Sequence, residues 1–265
     1  MFLRHMNERR INNMIQSFEA KSIGKRPEQQ DSTGSLELGN GFYLYVLADG
    51  MGGERGGLIA SRTVCKEFMA FFENNPDMDD PAKLLEQAMV AANAALREKR
   101  EQDYDLMGMG TTLIGVLMNG LSRVFHFVSV GDSPLYQLSS GGLKRINANH
   151  AYIEELKKMV ADGRMHPEEL KTDPARNDIT SALMGGNIEE VDFGTGILES
   201  GDRLLLASDG IQTLSDGPHG EIAAILKEEG SDFESAVLAL LDAVADKEEP
   251  YQDNTALIFV GYGNE

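Results

Sequence analysis

The sequence predicts an α+β fold built on antiparallel sheets. Short apolar runs rich in Val, Ile, Phe and Tyr, bounded by Gly, Asn, Asp or Ser, are typical of strands. These runs come mostly in adjacent, hairpin-like groups, whereas a parallel sheet requires alternation with helices. Helical periodicity is confined to other segments. The chain has 265 residues, 42% of them hydrophobic and 25% charged, which is enough for a sizeable core.

Six segments carry the short apolar or alternating pattern of strands. They are residues 42–48, 112–118, 124–130, 135–138, 203–207 and 255–260. Asn119-Gly120 lies between the second and third of these segments and is a strong hairpin signal.

Helical spacing predicts four helices. Val64 and Phe68 belong to the first, Asp80 and Pro81 form a favourable start for the second, and Gly163 ends the third. The predicted helical segments are one around residues 64–72 and those at residues 81–100, 151–163 and 232–246.

Composition limits the classes of function. The net charge is −19, from 43 acidic and 24 basic residues, and such a surface repels nucleic acid. No apolar run approaches the roughly 20 residues of a membrane span, and the N-terminus lacks the apolar core of a signal peptide. A single cysteine, Cys65, excludes an internal disulfide. We therefore expect one cytoplasmic domain, residues 1–265, with no membrane or nucleic-acid partner.

Four aspartates stand at the ends of predicted strands. Asp49, Asp132 and Asp209 follow strands, and Asp253 precedes one. In antiparallel sheets the end of one strand lies beside the start of its neighbour, so these acids can gather at one rim. Each acid alone is also explained as a turn residue, since aspartate is common in turns, and Asp49 and Asp209 belong to the common turn dipeptide Asp-Gly.

A cluster of carboxylates repels itself unless a cation lies within it. Carboxylate, carbonyl and water oxygens suit Mg²⁺ or Mn²⁺, whereas softer metals prefer His and Cys. Gly50 and Gly210 follow two of the acids and leave room for the main chain to turn and approach an ion. The pattern therefore favours a hard divalent-cation site.

Seven stretches occur in an order and spacing that define a family. They are RPEQQDS (26–32), LADGMGGERGG (47–57), MGTTL (109–113), VSVGDSPLY (128–136), ITSALMGG (179–186), DRLLLASDGI (202–211) and DNTALIFV (253–260). Together they resemble the metal-dependent Ser/Thr protein phosphatases of type 2C, in their compact bacterial form, over residues 18–262. The resemblance implies a sandwich of two antiparallel β-sheets flanked by pairs of helices.

The resemblance also implies roles for individual residues. It assigns a centre of two Mg²⁺ or Mn²⁺ ions to Asp49, the Gly50 carbonyl, Asp209 and Asp253. Asp31 resembles an acid that supports this centre through water. Asp132 resembles a ligand of a third, weaker ion shared with Asp209, and Arg26 resembles the residue that grips the substrate phosphate.

The implied reaction is the hydrolysis of phosphoserine and phosphothreonine on proteins. A water or hydroxide that bridges the two ions attacks in line, so no protein nucleophile is needed. The implied partners are phosphorylated proteins, among them a Ser/Thr kinase and its targets, and we expect a monomer. The irregular segment 149–186, here called the flap, is expected to contribute to substrate choice.

The sequence departs from the family pattern at several positions. Gln29 stands where asparagine is usual, and Pro134 replaces a common arginine. Met51 stands where some members have a histidine, so protonation of the leaving group would fall to metal-bound water. His150 keeps its place among altered neighbours, and an ordinary loop role is as compatible with the sequence as substrate handling.

Two other classes of function stay open. The chain could be a catalytically silent type-2C-like module that binds phosphoproteins or a kinase, although the four principal acids are intact. It could also hydrolyse a small phosphate ester or nucleotide on the same scaffold. A cysteine phosphatase is excluded because Phe71 stands where its loop requires arginine, and Cys65 is expected to be a core thiol.

Overall fold

Strand and helix segments account for most of the chain in the computed structural model, which describes residues 15–229 and 232–262. The strands in these residues are β1 (Ile15–Ser22), β2 (Ser32–Glu37), β3 (Phe42–Ala48), β4 (Gly50–Met51), β5 (Gly110–Thr111), β6 (Leu113–Asn119), β7 (Val124–Val130), β8 (Leu135–Ser139), β9 (Gly142–Arg145), β10 (Asp192–Ile197), β11 (Arg203–Ala207) and β12 (Thr255–Tyr262). The helices are α1 (Gly53–Asn74), α2 (Pro81–Gln102), α3 (Ile153–Ala161), α4 (Pro167–Thr172), α5 (Glu221–Glu229) and α6 (Phe233–Asp246), with short 3₁₀ helices at Tyr104–Leu106 and Asp209–Thr213.

The strands form two five-stranded sheets and a small two-stranded one. The first sheet has the order β1-β12-β11-β8-β9, the second has β10-β7-β6-β3-β2, and β4 pairs with β5. All of these pairings are antiparallel. The antiparallel prediction is therefore confirmed.

The central strands are apolar on both faces because each sheet is covered on both sides. In β3, Leu47 points between the two sheets, whereas Val46 points toward the α1–α2 side. In β11, Leu204 lies between the sheets and Leu205 packs toward α5 and α6. Since side chains alternate along a strand, the continuous apolar run of β3 follows from double coverage.

Four layers result, in the order helix pair, sheet, sheet, helix pair. Phe68 of α1 and Leu85 of α2 are fully buried against the second sheet. Leu226 of α5 and Leu240 of α6 are buried against the first. The sandwich with flanking helix pairs, which the resemblance implied, is confirmed.

Helix ends follow the predicted local chemistry. Asp80 caps α2 by accepting a hydrogen bond from the backbone N of Lys83, with Pro81 in the first position. Gly163, just past α3, has φ +71°. Of the helices within the described residues, none combines the length and apolar composition that a bilayer crossing requires. Residues 1–14, on which the signal-peptide expectation depends, lie outside the described range.

The predicted β6–β7 hairpin is confirmed, although its loop extends beyond Asn119-Gly120. Asn119 ends β6, and its side-chain oxygen accepts hydrogen bonds from the backbone N of Leu121 and Ser122. The glycine-rich stretch after Asp49 forms β4 and the start of α1. Strands β1, β2, β9 and β10 were missed because polar residues and glycines interrupt their apolar pattern.

Candidate functional site

The four strand-end aspartates converge at one rim of the sandwich. Since β3 and β7 both pair antiparallel with β6, they run in the same direction and bring Asp49 and Asp132 to one edge. The pairing of β11 with β12 places Asp209 beside Asp253. Coulombic repulsion from the other three acids, and from Asp31, acts on Asp49. The predicted gathering of the acids is therefore present.

Two cavities meet at this rim. One of about 450 Å³ is lined by Arg26, Asp49, Gly50, Asp209 and Asp253, among others. A larger one of about 920 Å³ is also lined by Asp209 and Asp253, together with Asp132 and residues of the flap. Asp209 and Asp253 thus belong to both, and the acids open to a space that a substrate group can enter.

Burial and mutual repulsion raise the pKa values of the acids. Burial is the main cause in each case, and it raises the pKa of Asp31 to about 7 and that of Asp209 to about 8. The pKa of Asp49 lies well above its ordinary range for the same reasons, and burial also raises the pKa of Asp132. Such shifts mean that these carboxylates lack sufficient positive charge among their protein neighbours.

Two buried oxygens fit a cation or an ordered water. Asp31 Oδ1 and Asp132 Oδ1 have no hydrogen-bond partner among the described residues. In the described part of the chain, no group of three or more acidic, histidine or cysteine side chains is close enough together to hold one metal ion by itself. Mg²⁺-type ions use one or two carboxylates and keep several waters, so the oxygen-rich donor set still fits them.

Metal-free protein is expected to lose stability as pH rises. Folded Asp31 and Asp209 hold protons up to about pH 7 and about pH 8, whereas their ordinary pKa is 3.8. The folded state therefore binds more protons between these values, and the free energy of unfolding falls through this window. Urea unfolding at pH 5 and pH 8, with and without Mn²⁺, measures this. We expect Mn²⁺ to raise the free energy of unfolding more at pH 8 than at pH 5, because the ligand carboxylates are deprotonated at pH 8. An equal rise at both pH values would contradict this expectation.

Arg26 lies at the mouth of the smaller cavity. Its Nη2 is 2.6 Å from Asp253 Oδ2, and both side chains are more than a third exposed, at 52% and 38%. An exposed ion pair contributes only about 0–1 kcal/mol. The guanidinium can therefore exchange this carboxylate for a phosphate at small cost.

Neighbouring polar groups that the sequence did not reveal hold Asp49. The backbone N of Asp49 donates to Thr112 Oγ1 (3.0 Å), and the Asp49 carbonyl accepts from Thr111 Oγ1 (2.8 Å) and Thr112 N (2.9 Å). The two threonines lie at the β5–β6 junction, within the stretch MGTTL. They fix the direction in which β3 delivers the carboxylate.

The Asp31 loop is fixed by its own side-chain contacts. Ser208 Oγ donates to Asp31 Oδ2 (2.8 Å), which partly offsets the effect of burial on the Asp31 pKa. Gln29 Oε1 accepts from Asp31 N (2.9 Å), and Gln29 Nε2 donates to the Ser22 carbonyl (2.9 Å). Gln29, which the sequence left without a role, therefore braces this loop.

The Asp132 turn depends on a glycine and a histidine. Gly131 has φ +102°, and a Cβ there would lie 2.6 Å from Thr112 Cγ2. His150 is buried, its Nδ1 accepts from Gly131 N (3.1 Å) and its own N donates to the Gly131 carbonyl (3.1 Å). His150 thus supports the turn that carries Asp132.

Gly50 and Gly210 are required by close packing against the protein's own backbone. A Cβ on Gly50 would lie 2.1 Å from the Gly57 carbonyl oxygen, and one on Gly210 would lie 2.1 Å from the Asn254 carbonyl oxygen. Neither glycine has a positive φ. The expected need for glycine is present, but its cause is this packing.

The structure also places three other residues named in the sequence analysis, Met51, Pro134 and Cys65. Met51 lines the smaller cavity, and Pro134 is buried with its carbonyl accepting from Ala207 N (3.1 Å). Cys65 is buried and its Sγ donates to the Ser32 carbonyl (3.4 Å), as expected for a core thiol.

A two-sheet sandwich with acids gathered at one rim is the arrangement that the resemblance implied. A family profile described as Protein phosphatase 2C matches residues 21–257. The chain belongs to the protein phosphatase 2C family.

Two known proteins with similar sequences come from bacteria. The serine/threonine protein phosphatase PstP of Mycobacterium tuberculosis is 37% identical over 171 residues, 64% of this chain and 32% of the relative. The matched part thus spans about a third of that relative. The protein phosphatase PhpP of Streptococcus pneumoniae is 31% identical over 195 residues, 73% of this chain and 77% of that one.

A solved structure has the same fold. It is the catalytic domain of the serine/threonine protein phosphatase PstP in complex with two manganese ions, with a TM-score of 0.75 and 27% sequence identity. The similarity covers 94% of this chain and 99% of that one.

Proposed function

We propose that this chain is a Mg²⁺- or Mn²⁺-dependent phosphatase of phosphoserine and phosphothreonine on proteins. The observation that carries the proposal is the convergence of Asp49, Asp209 and Asp253 on one cavity whose mouth holds Arg26. Membership of the protein phosphatase 2C family supports the reaction class.

The proposed ligands are oxygen atoms of this chain. Asp49, the Gly50 carbonyl, Asp209 and Asp253 would hold two ions, as the two manganese ions of the structural relative suggest. Asp132 would take part in a third, weaker site shared with Asp209, since both line the larger cavity. When bound, the ions would acidify water and polarise the phosphoryl group.

The chain's own residues bind and orient the substrate around this centre. Arg26 would grip the phosphate, because a guanidinium presents paired donors to phosphate oxygens. Asp31 Oδ1, buried beneath the site, would accept a hydrogen bond from an ordered water. His150 is engaged with Gly131, so we assign it no direct contact with substrate.

Phosphate release from a phosphopeptide panel tests the proposal. We expect Mn²⁺-dependent hydrolysis of phosphoserine and phosphothreonine peptides, with loss of activity on chelation. Arg26→Met should raise KM for these peptides more than it changes Mn²⁺ affinity. Hydrolysis of nucleotides alone would favour the small-ester alternative, and no hydrolysis of any substrate would favour the silent binding module.

Finer points remain predictions. A Ser/Thr kinase and its targets as partners, a monomeric state and a cytoplasmic location are expected from sequence and family. The flap lines the larger cavity through residues that include Asn149, Ile153 and Arg176, which supports its proposed part in substrate choice.

A further inference from the structure

Arg145, the last residue of β9, joins the Asp132 turn to the chain that enters the flap. Its Nη2 donates to the carbonyl of Asp132 (3.0 Å) and to that of Ala148 (3.1 Å). Its Nε donates to Asn147 Oδ1 (3.1 Å). One guanidinium therefore joins the main chain that precedes β8 to the main chain that follows β9.

A buried polar network continues from this point to Asp49. Asn147 Nδ2 donates to the Ser133 carbonyl (3.0 Å) and to Ser129 Oγ (3.1 Å). Ser133 Oγ lies 2.9 Å from Thr112 Oγ1, the same oxygen that accepts from Asp49 N (3.0 Å). The Asp132 turn and the Asp49 strand end are thus held in register by hydrogen bonds between buried groups.

The position of the Asp132 carboxylate depends on its main chain. The residue is 7% exposed, and its Oδ1 has no partner among the described residues. Holding the Asp132 carbonyl therefore fixes the main chain from which this side chain projects. A planar guanidinium bridges several carbonyls at fixed angles, which a lysine ammonium does not reproduce.

We propose that Arg145 is a positioning residue that holds the Asp132 turn so that this carboxylate faces the larger cavity. It thereby sets the affinity of the weaker cation site at Asp132, and it couples that site to the flap through Ala148. The inference deepens the proposed function and depends on it only for cation binding, not for hydrolysis.

Calorimetric titration of the full chain with Mn²⁺ tests this. Arg145→Met should weaken the weakest class of Mn²⁺ binding by about 10–100-fold, the usual effect of losing a group that orients a ligand. The Kd values of the tighter classes of Mn²⁺ site should stay within about two-fold of those of wild type. Arg145→Lys keeps the charge, and we expect most of the loss of Mn²⁺ affinity in the weakest class to remain. Lys144→Met removes the same charge from an exposed neighbour on β9 and should bind like wild type.

Asp132→Asn completes the comparison. It should remove the weakest class, and adding Arg145→Met to it should leave the remaining classes unchanged. The proposal is overturned if wild type has no Asp132-dependent class, if Arg145→Met titrates like wild type, or if it weakens all classes alike. Circular dichroism checks folding, and Arg145→Lys carries the test should the methionine variant not fold. A protein that shows the Asp132-dependent class but hydrolyses no phosphopeptide would refute the proposed function alone.

Discussion

Asp209→Asn is expected to lower kcat/KM on a phosphopeptide by more than about 100-fold. Loss of a group that only orients a metal ligand costs up to roughly 100-fold, and Asp209 is itself a proposed ligand. Asp209 lines both cavities, so its anion serves every proposed ion site. Asparagine has nearly the same shape, and the fold should persist. Asp253→Asn should act similarly.

Stability separates this effect from unfolding. Burial and the repulsion of its neighbours raise the Asp209 pKa to about 8, so the ionised carboxylate destabilises metal-free protein. The Tm of Asp209→Asn should therefore be no lower than that of wild type at pH 8 without metal. Added Mn²⁺ should raise the Tm of this variant less than that of wild type. Glu249→Gln, which removes a charge from the exposed rim of the larger cavity, is the matched control and should remain active. Retained turnover in both Asp209→Asn and Asp253→Asn contradicts the ligand assignment.

Gly50→Ala is expected to damage both stability and activity. The added Cβ would lie 2.1 Å from the Gly57 carbonyl oxygen and 2.7 Å from that of Gln30. Both contacts are with backbone, so no side-chain rotation relieves them. Overpacking of this kind costs about 1–3 kcal/mol of unfolding free energy. Displacement of Asp49 by even ~1 Å should reduce turnover by about 100-fold.

Gly186→Ala provides the control. A Cβ there meets no heavy atom within 4 Å, and the residue has no positive φ. This variant should match wild type in urea unfolding and in turnover. If Gly50→Ala behaved like Gly186→Ala, the close packing around the Asp49 strand end would be wrong.

The sequence was sufficient for the central strands and for the acids at their ends. An uninterrupted apolar run such as β3, short and bounded by glycine and aspartate, favours a strand covered on both faces, and the aspartate that follows then emerges at its edge. Helix α2 was equally clear, because Asp80 and Pro81 mark its start. Family resemblance, rather than pattern, pointed to Arg26 and Asp31.

The supporting polar network could not be predicted in this way. Thr112, Ser133 and Asn147 come together only because two hairpins pack in a particular register, which no local pattern specifies. Edge strand β2 and the glycine-containing β10 lack a continuous apolar face, so their signals were weak. Arg145 carried no sequence signal, since its contacts are with main-chain carbonyls and with the side chain of Asn147, which no local pattern reveals.

A crystal grown with Mn²⁺ and examined by anomalous diffraction tests the central claim most directly. We expect two Mn²⁺ ions about 3.5–4 Å apart, contacted by Asp49, the Gly50 carbonyl, Asp209 and Asp253. Ions bound elsewhere, or none at this rim at saturating Mn²⁺, would contradict the account.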